Sequence, residues 1–153
     1  MEEDFSVVKR NQEEVLTRTV ITLMDTNAAL NFKDIQEWHR WLEQNHDKEA
    51  EAWLIIYKKR AIQTGLKYDE ALEEALCFGW IDGKMKSIDW ERFVLRFSHR
   101  KAKSVWSKIN RDKAEQMIAQ GRMADAGLAK IEEAKKNGAW DAAYTNKTRD
   151  EIP

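Results

Sequence analysis

The chain has little of what usually marks a protein at sight: one cysteine, one proline and six glycines among 153 residues, with 26 Lys and Arg almost cancelled by 27 Asp and Glu. A lone Cys77 excludes an internal disulfide framework and the small stapled scaffolds that depend on one. No apolar run approaches the roughly 20 residues that a membrane-spanning helix needs, so no membrane insertion is expected. The acidic start MEEDF lacks the basic and apolar regions of a signal peptide, and a reducing cytoplasm is the expected setting. There are no internal repeats and no low-complexity blocks. With 42% hydrophobic residues, a chain of this length can bury one core, worth roughly 5–15 kcal/mol of net stability.

Familiar catalytic and nucleotide signatures are missing too. No GxGxxG, HExxH, CxxC or GxSxG occurs. GWIDGK is not a phosphate loop, because Phe78 stands five residues before Gly83 and Met85 stands where a Ser or Thr would meet magnesium. No cofactor or metal is expected.

What is present begins with segregated charge. Residues 1–83 carry 10 basic and 17 acidic groups, residues 84–113 carry 10 and 3, and residues 114–153 carry 6 and 7. A basic block inside a neutral chain faces an anion, pairs with the acidic first half, or lies in solvent.

The patterning predicts an α+β domain over residues 28–144, with helices on a small antiparallel-containing sheet in the order α-β-α-β-β-α-α. Residues 1–27 read as an arm or an added strand, and 145–153 as a tail. Asp34 is expected to cap a helix whose apolar positions are Ile35, Trp38 and Leu42, ending near His46. AEAWLIIYKK reads as a strand buried on both faces. Residues 69–78 form an amphipathic helix with Ala71, Leu72, Ala75 and Leu76 inward and Gly79 as its stop. WIDGKMKSI and RFVLRFS make a hairpin around Asp89, Trp90 and Glu91. Helices follow over 105–120 and 125–137, with Ser104 and Asn110 as caps and Gly121 and Gly138 as stops.

Several candidates compete for a functional role. His39, Glu43 and His46 share one side of the first helix and would suit a divalent metal, but a wet helix face gives the same pattern. Cys77 lies in the last turn of its helix, where the dipole disfavours a thiolate, so a buried inert thiol is expected. Glu70, Glu73 and Glu74 fall on the polar side of their helix with no His or Lys nearby in sequence. Trp38, Trp53 and Trp80 suit the core, whereas Trp90 and Trp106 lie in the hairpin turn and the basic block.

The richest segment is RFVLRFSHRKAKSVWSKINRDK. Arg92 and Arg96 share a strand face, while Arg100, Lys101 and Lys103 crowd the approach to a helix whose first turns carry Ser104, Trp106, Ser107 and Asn110. Cations and free helical N–H groups would converge there on a small anionic ligand or a protein partner. Alternatively Arg96 and Arg100 hold Asp82 or Asp89 in a structural network. Two other functions compete: nucleic-acid binding, with Trp90 or Trp106 stacking on bases, and an enzyme using Asp82 with Lys58 or Arg96 as an acid–base pair.

At these residues the sequence resembles a bacterial group. WLEQNH, EAWLIIYKK, YDEALEEALCFGWIDGKMKSID, RFSHRKAKSVWSKIN, QGRMADAGL and AKKNGAWDAAY together look like the YdeI or OmpD-associated, bacteriocin-protection family, itself YdhG-like and related to DUF1801. The resemblance implies a YdhG-like or frataxin-like α+β fold, a bacterial cytoplasmic setting, and an association with resistance to bacteriocins and cationic antimicrobial peptides; a non-enzymatic binding or stress-response protein with an anion-holding basic junction is the function expected first. The resemblance implies no established reaction. Its motif positions are Trp53, Tyr57, Lys58, Cys77 through Gly83, Arg96, Phe97, Arg100, Ser104, Trp106, Ser107 and Asn110. The sequence departs from that pattern at His99, where the family usually has Pro, and it ends at Pro153, before the helical C-terminal module that members commonly carry.

Overall fold

Asp34 opens the first helix as its spacing predicts. In the computed structural model, which describes residues 29–143, the Asp34 carboxylate accepts the Glu37 backbone N–H at 3.1 Å and α1 runs Ile35–Asn45. Strand β1 follows over Glu51–Tyr57, then α2 over Tyr68–Cys77, β2 over Trp80–Ser87, β3 over Arg92–His99, α3 over Lys108–Ala119 and α4 over Asp125–Lys136. The chain is thus α+β in the expected order. The expected arm over 1–27 and tail over 145–153 lie outside the described residues, within which no helix is long and apolar enough to cross a membrane.

The three strands form one antiparallel sheet in the order β1-β3-β2. Because paired residues in an antiparallel ladder share a face, the register Leu54↔Leu95 and Ala52↔Phe97 puts those four side chains on the core side. The same register sets Trp53 opposite Arg96 and Tyr57 opposite Arg92 on the other side. Ile55, Tyr57 and Val94 on that second side are buried as well, in keeping with the unbroken apolar centre of β1. The pairing of β2 with β3 shifts register between Asp82 and Met85, the stretch that contains Gly83.

The core joins the sheet to Trp38 and Leu42 of α1, to Ala71, Leu72, Ala75 and Leu76 of α2, to Ala114 and Met117 of α3, and to Ile131 and Ala134 of α4. Helix α2 is therefore packed on more than one side, and even Glu74 and Cys77 are buried. This matters for the site. A helix that looks amphipathic by period alone carries α3 and α4 over its other flank.

Helix α3 begins later than the spacing suggests. Its cap is Ser107, whose hydroxyl accepts the Asn110 N–H at 3.0 Å, rather than Ser104. The cause is long-range: Trp106 is held edge-on against Trp140 at 5.0 Å and lies under the Arg100 guanidinium at 3.8 Å, which keeps residues 100–106 out of the helix. The three helix stops fall at the expected glycines, Gly79, Gly121 and Gly138, each with positive φ.

Candidate functional site

The structure distributes the nominated residues among several neighbourhoods. At the hairpin turn, Arg92 grips Asp89 through Nη2 at 2.8 Å and Nε at 3.1 Å, and Lys58 Nζ donates to the Asp89 carbonyl at 3.0 Å. The Arg92 guanidinium, helped by the Glu91 and Arg92 backbone N–H groups, holds the Asp89 carboxyl below the usual range. Trp90, at the tip of this turn, is 56% exposed, with the Arg60 guanidinium 5.4 Å from its ring centre. Arg92 and Arg96 do face the same side of β3, as period two requires, but Arg96 Nε donates to Glu51 of β1 at 2.5 Å. That bond, against some desolvation, lowers the Glu51 pKa.

Asp82 belongs to another neighbourhood, accepting the Tyr68 hydroxyl at 3.0 Å; burial and this carboxylate push the phenol pKa up. Arg100 is buried, stacked on Trp106, and donates from Nη2 to the Val105 carbonyl at 2.9 Å. Lys103 is exposed, Ser104 is half-buried, and Ser107 and Asn110 form the α3 cap. The structure thus joins Arg100 to Trp106, Lys58 to Arg92 through Asp89, and Ser107 to Asn110.

The remaining candidates resolve differently. Cys77 is buried and donates to Met117 Sδ at 3.5 Å; burial, with the nearby Glu74 charge, pushes its thiol up to about 12. His46 Nδ1 sits 2.7 Å from the Leu42 carbonyl. Among the described residues no three His, Cys, Asp or Glu side chains gather as a metal site.

A concave site lies elsewhere, between α1, α2 and the turn after α3. A cleft of about 530 Å³ is lined by Ile35, Gln36, His39, Glu73, Glu74, Gly121 and Arg122. Its wall holds Glu74, a carboxylate only 5% exposed. Glu74 Oε1 meets His39 Nδ1, and Glu74 Oε2 accepts from Arg122 Nη2 at 3.2 Å. Around this core, His39 Nε2 is 3.4 Å from Glu43, Arg122 Nη1 is 3.7 Å from Glu73, and Lys113 Nζ is 3.4 Å from Glu73.

Local chain geometry places the arginine. Gly121 takes a φ of 73° after α3, and the Gly121 and Arg122 N–H groups turn back to the carbonyls of Ile118 and Met117. This glycine-terminated helix end throws Arg122 over α2. Burial works against a charge on His39, but the hydrogen bond and charge of Glu74, together with Glu43, outweigh it, so the imidazole pKa is raised.

Sequence spacing did not reveal this cluster, because His39 and Arg122 lie 35 and 48 residues from Glu74. The remaining sequence clue is a carboxylate beside the apolar stripe of a helix flanked by three others.

One family model matches the chain: a domain of unknown function, DUF8412, over residues 30–130. No curated protein and no solved structure matches. The resemblance to YdeI, OmpD-associated or DUF1801 proteins is corrected by this finding. Much of that likeness lies in residues the architecture itself demands, such as Gly79 with its φ of 77° and the fully buried Trp80.

Proposed function

We propose, from the premise that this chain belongs to the DUF8412 family and takes no activity from that membership, that it is a binding domain for a small anionic molecule held in the α1–α2 cleft. The observation that carries this reading is Glu74, buried at the cleft wall between the Arg122 guanidinium and the His39 imidazole, both of which stay accessible. The side chains of Arg122 and His39 are 35% and 41% exposed, against 7% for Glu74. A buried ion pair is weak support for stability, since replacing it by apolar residues is often neutral or better. Perturbed ionisable groups in a cleft are instead a recurring feature of binding sites. A guanidinium offers a planar fork of donors matched to carboxylate or phosphate oxygens, and here only part of that fork is taken by Glu73, Glu74 and Gln120. A reducing compartment, in which Cys77 stays a thiol, belongs to the same reading.

A second location for the anion is the strand–helix junction, favoured by the exposed Lys101 and Lys103 that follow Arg100. One experiment separates the two. In a thermal-shift titration with acetate and sulfate, an anion at 100 times its dissociation constant should add about 2.7 kcal/mol to the intact chain. Arg122→Ala is expected to abolish that gain, Arg122→Lys to reduce it, and the pair Arg96→Ala with Lys103→Ala to leave it in place. The reverse pattern moves the site to the junction, and no gain in the intact chain removes the anion-binding reading.

A further inference from the structure

Charge balance around Glu74 says more about what the cleft accepts. Every element packed there contributes: Glu43 from α1 faces His39, Glu73 from α2 faces Arg122, and Lys113 from α3 faces Glu73. The Phe78 ring at the end of α2 closes one side of the imidazole, with centroids 5.6 Å apart. With His39 neutral, Glu43, Glu73, Glu74, Lys113 and Arg122 leave one negative charge in excess. With His39 protonated the set is neutral. An anion entering beside a neutral His39 would deepen an existing negative excess, whereas beside the protonated ring it meets a balanced site. A nearby negative charge favours the charged form of an imidazole, and both ring nitrogens already point at carboxylates able to accept their protons in hydrogen bonds.

We infer that the cleft takes up a small molecule bearing a carboxylate or a tetrahedral oxyanion together with one proton, the anion lying against Arg122 and the proton resting on His39 between Glu74 and Glu43. This rests on the anion-binding reading above and adds its regulation. The balance is simple: imidazole plus a proton from solvent gives imidazolium, and no bond in the ligand changes. Below the His39 titration the ring is already charged and binding draws no proton. Above it each bound anion draws one, so affinity falls about tenfold for each pH unit until the pKa of the bound form is passed. Acidification of the surroundings would then load the site, and alkalinisation would empty it.

Calorimetric titration of the intact chain with acetate and, separately, sulfate tests this between about pH 6 and about pH 9, a window that brackets the ordinary histidine range and in which neither probe titrates. The two probes distinguish a planar carboxylate from a tetrahedral oxyanion. Affinity should be level at the acidic end and then fall about tenfold per pH unit, with an apparent enthalpy that varies with the ionisation enthalpy of the buffer. His39→Gln should bind more weakly and without pH dependence. Glu43→Gln, at an exposed position, should move the fall to lower pH, a displacement that a purely structural histidine would not give. Binding of equal strength across the range, or a fall that Glu43→Gln does not move, overturns proton uptake and leaves the binding reading standing. Failure of both anions to bind at every pH overturns both.

Discussion

Replacing Trp38 by alanine should cost about 4 kcal/mol, close to the whole net stability of a small domain at the lower end of the usual range. The side chain is fully buried and makes ring contacts with Phe32, Trp41 and Phe97 at 5.5–5.6 Å. Its indole N–H donates to the Ala71 carbonyl at 3.0 Å. One residue thus joins α1, the middle strand and α2. Alanine would leave a cavity bounded by elements that cannot all collapse inward, and the cost of such a cavity grows with the volume left unfilled. Urea unfolding measures the effect: a loss under about 1 kcal/mol would mean that the site can close. Trp38→Phe, which keeps most of the volume and forfeits the hydrogen bond, should cost less than half as much.

Gly127→Ala is the second large effect, expected to destabilise by about 3 kcal/mol, at the upper end of ordinary overpacking. A Cβ at Gly127 would run into the Cys77 carbonyl, a backbone atom, and the Met123 sulfur. The approach is fixed because the Ala124 N–H donates to that same carbonyl at 3.0 Å. Gly79 makes the reciprocal concession: a Cβ there would lie 3.0 Å from the Ala126 carbonyl oxygen. The two glycines let the start of α4 sit on the end of α2. Gly138→Ala is the control, with a φ of 85° but nothing within 4 Å of the added carbon, so only the left-handed backbone is strained, at about 1 kcal/mol. Equal losses for the two variants in chemical unfolding would show that contact at Gly127 is not the cause. Since α4 begins three residues beyond Arg122, Gly127→Ala should also weaken the anion-dependent stabilisation.

These two residues mark what the chain discloses by itself. Trp38 stands at helical spacing from Ile35 and Leu42 behind a capping aspartate, so its helix and its burial follow from local pattern. The hairpin around Asp89 and the glycine stops at Gly79, Gly121 and Gly138 were legible for the same reason: each is decided within a few residues. Gly127 was not, because its requirement is a neighbour 50 positions earlier. Helix α3 starts three residues later than its spacing suggests, since Trp106 answers to Trp140 rather than to its own turn.

The candidate site divides along the same line. Period two correctly set Arg92 and Arg96 on one face of β3, but nothing near them in sequence announces that Glu51 pairs with Arg96 from the adjacent strand. Glu74 reads as a solvated carboxylate because the period of α2 shows one apolar stripe, whereas His39 from α1 and Arg122 from the turn after α3 close over it. A buried ion cluster is assembled by tertiary structure, and its members carry no mark in the chain beyond their charge.

If Arg122, Glu74 and His39 are the receiving wall of the proposed anion site, NMR during an acetate titration will register it at those three side chains. The largest shifts should fall on the Arg122 side-chain Nε–H, the Gly121 amide and the His39 ring, with Arg96 and Arg100 unmoved. Shifts centred on Arg96, Arg100 and Lys103, with the cleft signals stationary, would contradict it.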